Sequence, residues 1–309
     1  MIFSSEALPE EAKKILEKWE IAEGDASHVE DANVLMVWKI DPETIRKAKR
    51  LKAIQTFSAG VDHLPFEYIP RSVKIFSNAG AYSKPVAEHA WALILSLAKG
   101  INIRDKKVAA NYPRQLFGKT MLVLGSGGIG QETAKVAKCF GMKTIGYSRH
   151  QIIKEGFDEI IGPDQLLSKL PNTDVIVIAL PLNKYTKNLL NASNISLLKD
   201  ECIIVNVGRG DVINQDAIYD ALKSRPGLRF GTDVWWKQDN TEGSRLDFYG
   251  LPNFAGTPHV ASGALREISD IAKIYAAKNV ALFLETGKAN NEVNFDDYVR
   301  TRPNTQRYD

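Results

Sequence analysis

A glycine-rich loop between a strand-like and a helix-like segment constrains this sequence most. Met121–Leu124 is short and apolar, and it leads directly into GSGGIG, residues 125–130; the segment that follows, Gln131–Phe140, has helical character. In the pattern GxGxxG the first glycine makes a tight turn, the second lets the backbone approach a pyrophosphate, and the third allows close helix–strand packing. Because the loop follows a strand and opens a helix, the sequence predicts a dinucleotide site here. The loop residues predicted to bind the cofactor are Gly125, Gly127, Gly128, Ile129 and Gly130.

The residues after the next strand indicate which dinucleotide is bound. Thr144–Tyr147 is strand-like and is followed by Ser148 and Arg149, where an NAD site usually carries an acidic residue for the ribose 2′-hydroxyl. A small polar residue beside a guanidinium suits the 2′-phosphate of NADP, because the arginine fork matches phosphate oxygens. The sequence thus favours NADP as cofactor, and NAD stays open as the alternative.

Strand-like and helix-like segments alternate along the chain, which predicts the fold class. Segments with helical spacing of apolar residues, such as the one from Val86 to Leu97, separate short apolar runs. This alternation is typical of βαβ units, and fully apolar strands suit a parallel sheet covered on both faces. We therefore expect an α/β fold. The runs interpreted as strands are Val34–Trp38, Ala53–Phe57, Val73–Phe76, Met121–Leu124, Thr144–Tyr147, Asp174–Leu180 and Ile203–Val207.

Charge, cysteine use and apolar runs exclude several classes of protein. The chain has 309 residues with 40 Lys plus Arg against 37 Asp plus Glu, so the net charge of +3 predicts neither a nucleic-acid nor a membrane partner. Two cysteines in apolar surroundings suit a reducing cytoplasm rather than secretion. We expect no signal peptide at the N-terminus, and the longest apolar run, Ala90–Ala98, is too short to span a bilayer. Five histidines without ligand spacing predict no metal site.

Several strings, in order along the chain, resemble the D-isomer-specific 2-hydroxyacid dehydrogenase family, including its glyoxylate and hydroxypyruvate reductases. The first is Ser58-Ala59-Gly60-Val61-Asp62, followed by Ser77-Asn78-Ala79-Gly80 and then Val86-Ala87-Glu88-His89. After the glycine loop come Leu180-Pro181-Leu182 with Thr186, Asn206-Val207-Gly208-Arg209-Gly210, Asp233-Val234 and Pro258-His259.

The resemblance implies an architecture. It implies a Rossmann-type dinucleotide-binding domain over residues 91–285, inserted into a flavodoxin-like substrate domain formed by residues 1–90 and 286–309. Both domains are expected to have parallel sheets, and the helical stretch from Gly263 to Thr286 would carry the chain back to the substrate domain. A homodimer joined through the nucleotide domains is also implied, with the segment from Val86 to Phe117 contributing. No regulatory extension is expected after Asp309, which separates the chain from the longer phosphoglycerate dehydrogenases.

The resemblance also assigns roles to residues. His259 would be the acid/base and Arg209 the anchor for carboxylate and carbonyl, roles that suit the chemistry of an imidazole and a guanidinium. Ala59 and Gly60 would bind the substrate carboxylate together with these two residues. The further residues expected at the cofactor are Leu180, Pro181, Thr186, Val207, Gly208, Asp233 and Ser262.

One position departs from the family pattern. A glutamate about five residues after the aspartate usually pairs with the histidine, and here that position is Gln238. Glutamine can orient an imidazole but adds no negative charge to stabilise imidazolium. We therefore expect a weaker, acid-shifted activity if Gln238 faces His259, whereas the nearby Asp239 or Glu242 could take the role instead.

The sequence thus predicts an enzyme that transfers hydride between NADP(H), or NAD(H), and a small 2-oxo acid such as glyoxylate or hydroxypyruvate. Two alternatives stay open. One is a dinucleotide-sensing, corepressor-like binding protein, in which an altered residue at Gln238 would be tolerated. The other is a dehydrogenase of the formate or phosphite type, for which no particular sequence feature speaks.

Overall fold

The computed structural model describes residues 1–24, 26–101, 103, 112–238, 241–263 and 266–298. The chain divides into two compact units, the first made of Met1–Ala81, Asn183–Tyr185 and Leu265–Asp309, the second of Tyr82–Leu182 and Thr186–Ala264. The described strands β1 to β14 span Ile2–Ser4, Ile21–Glu23, Val34–Val37, Ala53–Thr56, Lys74–Phe76, Thr120–Leu124, Lys143–Tyr147, Glu159–Ile161, Val175–Ile178, Ile203–Asn206, Arg229–Thr232, Trp236–Gln238, Thr241–Gly243 and Phe254–Gly256. The described α-helices α1 to α8 span Glu10–Ile15, Pro42–Lys47, Ser83–Lys99, Gly128–Cys139, Leu166–Lys169, Ala192–Ser196, Gln215–Ser224 and Arg266–Thr286. Short 3-10 helices span Ala26–Asp31, Phe66–Tyr68, Pro163–Gln165, Leu170–Asn172, Gly210–Val212 and Phe295–Asp297.

The first unit contains a five-stranded parallel sheet in the order β2-β1-β3-β4-β5. This is the flavodoxin-like order. Consecutive residues of its strands enter two different apolar clusters, as Ile2 and Phe3 or Val34 and Leu35 do. Since neighbouring side chains of a strand point to opposite faces, both faces of this sheet are covered. The expected two-sided parallel sheet is thus confirmed in this unit.

Helix α8 belongs to the first unit, which moves an expected boundary. Its Ala276, Ala277 and Val280 are buried in the same cluster as Ile2 and Phe76 of β1 and β5. Small side chains let the helix approach the sheet closely, so burial of this face ties α8 to the N-terminal strands. The second unit therefore ends at residue 264 rather than at the expected 285, and residues 264 and 265 of the expected return stretch lie outside the described part.

The second unit contains a seven-stranded parallel sheet in the order β14-β11-β10-β9-β6-β7-β8. Counted from β6, its first six strands follow the doubly wound order 3-2-1-4-5-6 of dinucleotide-binding domains. Helix α3 packs on this sheet, where a Cβ at Gly231 would lie 3.0 Å from Leu97 Cδ1. Because this helix begins at Ser83, the unit begins at residue 82 instead of the expected 91. The predicted α/β class with a Rossmann-type domain is confirmed.

A buried arginine holds the end of α3 against the second sheet. Arg229 on β11 is 1% exposed, and its guanidinium donates hydrogen bonds to the carbonyls of Leu97, Ala98 and Tyr112. The guanidinium also stacks on the Tyr112 ring, 3.6 Å from its centroid. The last carbonyls of a helix have no partners within the helix, so a buried cation here satisfies groups that would otherwise be orphaned. Burial lowers the pKa of this guanidinium.

Candidate active site

The predicted site residues of the second unit lie in loops that follow the carboxyl ends of its parallel strands. Loops after β6 and β7 carry the glycines and Ser148, those after β9 and β10 carry Leu180 and Arg209, and those after β11 and β14 carry Asp233 and His259. In open α/β sheets ligands bind at this edge, near the point where the strand order reverses. Here the reversal lies between β6 and β9.

The glycine loop has the geometry that a bound pyrophosphate requires. A Cβ on Gly130 would lie 2.0 Å from the carbonyl oxygen of Gly125, so only glycine lets the start of α4 pack this closely on β6. Gly125 has φ +113°, in the region that favours glycine. At Gly127, by contrast, a Cβ would meet nothing within 4 Å, and it would project into open space next to the helix N-terminus. These positions fit a dinucleotide, because the backbone itself requires glycine at 125 and 130, whereas the open space at Gly127 leaves room for a ligand.

The turns after β9 and β10 lie side by side. Thr186 Oγ1 donates a hydrogen bond to the carbonyl of Pro181 at 2.7 Å, which closes the turn that begins directly after Leu180. Val207 N bonds Ile178 O, and a Cβ on Gly208 would lie 2.7 Å from Leu180 O. The backbones of the two turns therefore meet at Gly208, beside the strand that carries the glycine loop.

Ser148 and Arg149 directly follow β7. The Ser148 hydroxyl accepts a hydrogen bond from the backbone N–H of His150, and Arg149 is exposed. Both residues follow the strand next to the glycine loop, where the ribose end of a dinucleotide is expected. No acidic side chain stands at the end of this strand.

His259 is paired with a carboxylate, and that carboxylate is Glu242. His259 Nδ1 lies 2.7 Å from Glu242 Oε2, with the imidazole 43% and the carboxylate 29% exposed. The sequence left Gln238, Asp239 and Glu242 open as the partner. The structure brings Glu242 to the histidine, whereas Asp239 and the side chain of Gln238 lie outside the described residues.

A hairpin brings the glutamate into place. Strands β12 and β13 pair antiparallel, with Gln238 opposite Thr241 and Lys237 opposite Glu242. Trp236 anchors the hairpin: it is buried, stacks on Phe248 at 5.2 Å and donates its indole N–H to Ile213 O. The acid thus stands nine residues after Asp233 (242 − 233), on the second strand of this pair.

The pair shifts the pKa values of both partners. The hydrogen bond to Glu242 raises the pKa of His259 above its usual 6.5, against the opposing effects of burial and of the Arg209 charge. Burial alone would raise the pKa of Glu242, but the hydrogen bond from His259 and the nearby cations outweigh it, so this pKa is lowered. Both shifts favour the imidazolium–carboxylate form of the pair.

Arg209 lies close enough to this pair for its charge to act on both members. It follows β10 at a half-buried position, and its Nη1 donates to the carbonyl of Gly208 at 2.8 Å. Asn206 Nδ2 bonds the Arg209 carbonyl and fixes the turn, and Gly210 next to it packs against the Trp235 backbone. A cation and an imidazolium at one edge of the sheet suit an anionic ligand such as a carboxylate.

Asp233 holds the loop that carries His259. Its carboxylate is 1% exposed and accepts hydrogen bonds from Thr257 Oγ1 and from the backbone N–H groups of Val260 and Ala261. Ser262 follows in the same turn. His259 itself has φ +57°, a left-handed conformation that is strained in a residue other than glycine.

A pocket of about 300 Å³ opens beside the His259–Glu242 pair. Trp235 forms part of its wall, and its indole N–H is fixed by a hydrogen bond to Thr257 O. The lining residues are Trp235, Glu242, Gly243, Ser244, Leu246, Tyr249, Pro258 and His259.

The other predicted substrate residues, Ala59 and Gly60, lie in the first unit. They follow β4, and Ser58 Oγ donates to Gly60 O at 2.8 Å. This loop thus also stands at the carboxyl ends of parallel strands. Two residues with a place in the site were not assigned a role from the sequence, Thr257 and His89. The only available signals were the position of Thr257 before Pro258-His259 and the family string that ends in His89.

In the described part of the chain, every helix is too short or too polar to span a membrane. The same residues contain no cluster of three His, Cys, Asp or Glu side chains that could hold a metal ion.

Comparison with known proteins agrees with the fold. The sequence model described as D-isomer specific 2-hydroxyacid dehydrogenase, NAD binding domain, matches residues 90–261. The hydroxypyruvate reductase of Thermotoga maritima is 30% identical over 278 residues, which covers 84% of this chain and 90% of that protein. The glyoxylate reductase of Pyrococcus furiosus is 27% identical and covers 91% of each chain.

A solved structure is similar over nearly the whole chain. That of a candidate formate dehydrogenase from Pyrobaculum aerophilum matches with a TM-score of 0.84 and 32% identity, covering 96% of this chain and 99% of that one. Sequence and structure therefore agree: this chain belongs to the D-isomer specific 2-hydroxyacid dehydrogenase family and is an NAD(P)-dependent oxidoreductase.

Proposed function

We propose that this enzyme reduces small 2-oxo acids to D-2-hydroxy acids, with glyoxylate or hydroxypyruvate as first substrates and NADP(H) as preferred cofactor. The observation that carries the proposal is the His259–Glu242 pair, with Arg209 close enough to act on it. Reduction of a 2-oxo acid needs a proton donor and a cation for the substrate carboxylate, and this cluster offers both.

The protein's residues divide the reaction between them. Reduced nicotinamide, when bound, supplies the hydride to C2 of the 2-oxo acid. The Arg209 guanidinium binds the substrate carboxylate and polarises the carbonyl, and Ala59 and Gly60 are proposed as further substrate-binding residues. The imidazolium of His259 gives its Nε2 proton to the carbonyl oxygen of the substrate, which gains negative charge in the reaction. Glu242 continues to accept the hydrogen bond from Nδ1–H. In oxidation the neutral imidazole takes the hydroxyl proton, because the same group acts in both directions.

Asp233, Ser262, and the turns at Leu180, Thr186 and Val207 are proposed to line the nicotinamide half of the site. Their position after β9, β10, β11 and β14 supports this role. The adenosine half is proposed to lie on the glycine loop and on Ser148 and Arg149.

The cofactor preference rests on Ser148 and Arg149. A hydroxyl and a guanidinium suit a 2′-phosphate, and no carboxylate stands there to repel it. The test compares kcat/KM for NADPH and NADH in wild type, Arg149→Gln and Ser148→Asp. We expect the NADPH preference to fall about tenfold or more in Arg149→Gln and to reverse in Ser148→Asp, since a charge-assisted hydrogen bond contributes about 1.5–3 kcal/mol. A wild type that prefers NADH would contradict this assignment.

We further propose that the protein is a cytoplasmic homodimer. The support is the presence of two cysteines in apolar surroundings and the family resemblance, which implies a contact around Val86 to Phe117. Within that segment, residues 102 and 104–111 lie outside the described part. Size-exclusion chromatography with light scattering measures the state directly, and a monomer at micromolar concentration would contradict the proposal.

Formate oxidation is a second candidate, favoured by the likeness to the Pyrobaculum aerophilum structure. Formate gives up hydride to become carbon dioxide and no proton has to be moved, so the His259–Glu242 relay would have no task. The pair therefore favours 2-oxo acid reduction. The support for a dinucleotide sensor was the missing negative charge at Gln238. Because Glu242 supplies a negative charge to His259, this support is lost.

The deciding experiment follows the loss of reduced-nicotinamide absorbance with glyoxylate, hydroxypyruvate or pyruvate from pH 5 to 8. Formate with the oxidised cofactors is assayed in parallel. We expect turnover of at least one 2-oxo acid and none of formate. Tight dinucleotide binding without turnover of any of these would replace this proposal by the sensor.

A further inference from the structure

A chain of hydrogen bonds connects helix α3 to the loop that carries His259. His89 on α3 has its Nε2 2.8 Å from Thr257 Oγ1, and Thr257 Oγ1 lies 2.7 Å from Asp233 Oδ1. Asp233 is buried and the His89 side chain is only 20% exposed. The proton transfer described above does not use His89.

The hydrogen atoms shared by His89, Thr257 and Asp233 can be arranged in only one consistent way. A carboxylate only accepts, so the single hydroxyl hydrogen of Thr257 points to Asp233. The Thr257 oxygen is then free to accept, and His89 must supply the hydrogen from Nε2. At 3.6 Å from Asp233 Oδ1, the same ring nitrogen lies beyond direct hydrogen-bond distance from the carboxylate. The structure thus predicts that His89 carries its hydrogen on Nε2.

Asp233, at the far end of this series of hydrogen bonds, holds the backbone next to His259. Asp233 Oδ1 accepts a hydrogen bond from the N–H of Val260, and Oδ2 accepts one from the N–H of Ala261, both at 2.9 Å. These are the two residues directly after His259, whose φ of +57° is costly without outside support. The orientation of Asp233 therefore decides whether this strained turn, and the imidazole on it, stays in place.

We propose that His89 is a positioning residue: through Thr257 it fixes the Asp233 carboxylate, which holds the left-handed turn at His259 and so keeps the imidazole on Glu242. The catalytic meaning rests on the proposed function, since the imidazole matters as a proton donor only in an active enzyme. The positioning itself does not depend on turnover.

The ionisation of His259 reports this positioning. Among the described residues, the charged groups that act on its imidazole are Glu242, Arg209 and Asp233, and of these Glu242 is hydrogen-bonded to the ring. If the turn relaxes, the ring moves away from Glu242 while the repulsion from Arg209 remains. The pKa of His259 then falls towards its ordinary value.

The test is an NMR titration of the whole protein labelled with 15N-histidine, with the His259 signal identified by its absence in His259→Gln. Thr257→Val and His89→Leu break the chain of hydrogen bonds with little change in volume. Thr257→Ser keeps the hydroxyl and His89→Gln keeps an N–H at a similar reach. We expect the His259 midpoint to fall by about one pH unit in the first two variants and to stay within about 0.3 unit of wild type in the second two.

The spectrum of the wild type also tests the arrangement of hydrogens. His89 should show a protonated Nε2, so an unprotonated Nε2 overturns the proposal even if a variant fails to fold. Unchanged His259 midpoints in both breaking variants overturn it as well, as does an equal fall in the two conservative variants.

Kinetics provide the link to catalysis. In the breaking variants we expect kcat for 2-oxo acid reduction to fall about 10- to 100-fold, as a displaced catalytic group does, with KM changed less than about threefold. The conservative variants should regain most of kcat. If the wild type turns over no 2-oxo acid, the proposed function fails while the NMR result still decides the positioning. A loss of kcat without a shifted midpoint assigns His89 a merely structural role and overturns the proposal.

Discussion

Replacing Glu242 by Gln tests the central pair most directly. The amide can still accept the hydrogen of Nδ1, so the orientation of the ring is kept and only the negative charge is removed. A carboxylate within hydrogen-bond distance favours the charged form of a histidine, so removing it lowers the pKa of His259. Because the His259 side chain is 43% exposed, solvent screens part of this effect, and the pKa of His259 should fall by less than it would in a fully buried pair.

The change appears in the pH dependence of 2-oxo acid reduction. This reaction needs imidazolium, so kcat/KM falls as pH rises through the pKa of His259, which lies above 6.5 in the wild type. In Glu242→Gln the descending limb should move about one unit to lower pH, with about tenfold less activity on the alkaline side. Below both pKa values the two enzymes should agree within a small factor.

Stability changes in a defined pH window. The raised pKa of His259 stabilises the fold below pH 6.5, and this contribution is lost as pH rises through the folded-state pKa. The lowered pKa of Glu242 stabilises it above pH 4.5, and this contribution is lost on acidification through the folded-state pKa. The difference in unfolding free energy between wild type and Glu242→Gln should therefore be largest between these two values, at about 1 kcal/mol for a partly exposed pair.

Glu159→Gln is the matched control. Glu159 pairs with Lys169 at 2.6 Å, with side chains 33% and 28% exposed, in the same unit. The Glu159→Gln substitution removes one charge from a similar ion pair that contains no histidine. The pH–rate profile of this variant should therefore overlay that of the wild type. A Glu242→Gln profile that also overlays the wild type would refute the reasoning, because the pair would then contribute nothing to the ionisation of His259.

Three further predictions follow from the same structure. The Glu242 carboxylate already accepts the hydrogen bond of His259 Nδ1, so Gln238→Glu should leave the pH–rate profile unchanged. A marked alkaline shift would instead support the hypothesis that residue 238 faces His259. A Cβ on Gly130 clashes with the chain while one on Gly127 does not, so Gly130→Ala should lose about 1–3 kcal/mol of unfolding free energy in urea. Gly127→Ala should keep its stability and weaken only dinucleotide binding in a fluorescence titration; equal stability of the two variants would be contrary evidence. Arg229→Met leaves helix-end carbonyls without donors and should cost about 2–4 kcal/mol in the same urea assay, whereas a loss below about 1 kcal/mol would show that these carbonyls find other partners.

Local pattern determined much of the fold. The runs at Ala53, Thr144 and Ile203 became β4, β7 and β10 within a residue at each end, because apolar β-branched runs have few other ways to bury both faces. The short edge strands β2 and β8 and the strand β11, which carries a buried arginine, were not predicted, since their composition does not differ enough from that of loops.

The three glycines of the loop could be predicted from their own chemical requirement, whereas His259 and Arg209 were predicted from the family resemblance of the strings in which they stand. Only the tertiary structure decided the partner of His259. Counting residues pointed to Gln238, but a hairpin adds residues without moving its ends apart, so Glu242 reaches the imidazole instead. The contact between His89 and Thr257 spans 168 residues of sequence, and no local pattern encodes such a distance. Motifs fix which groups a site contains, whereas the packing of distant strands and helices fixes which of those groups touch.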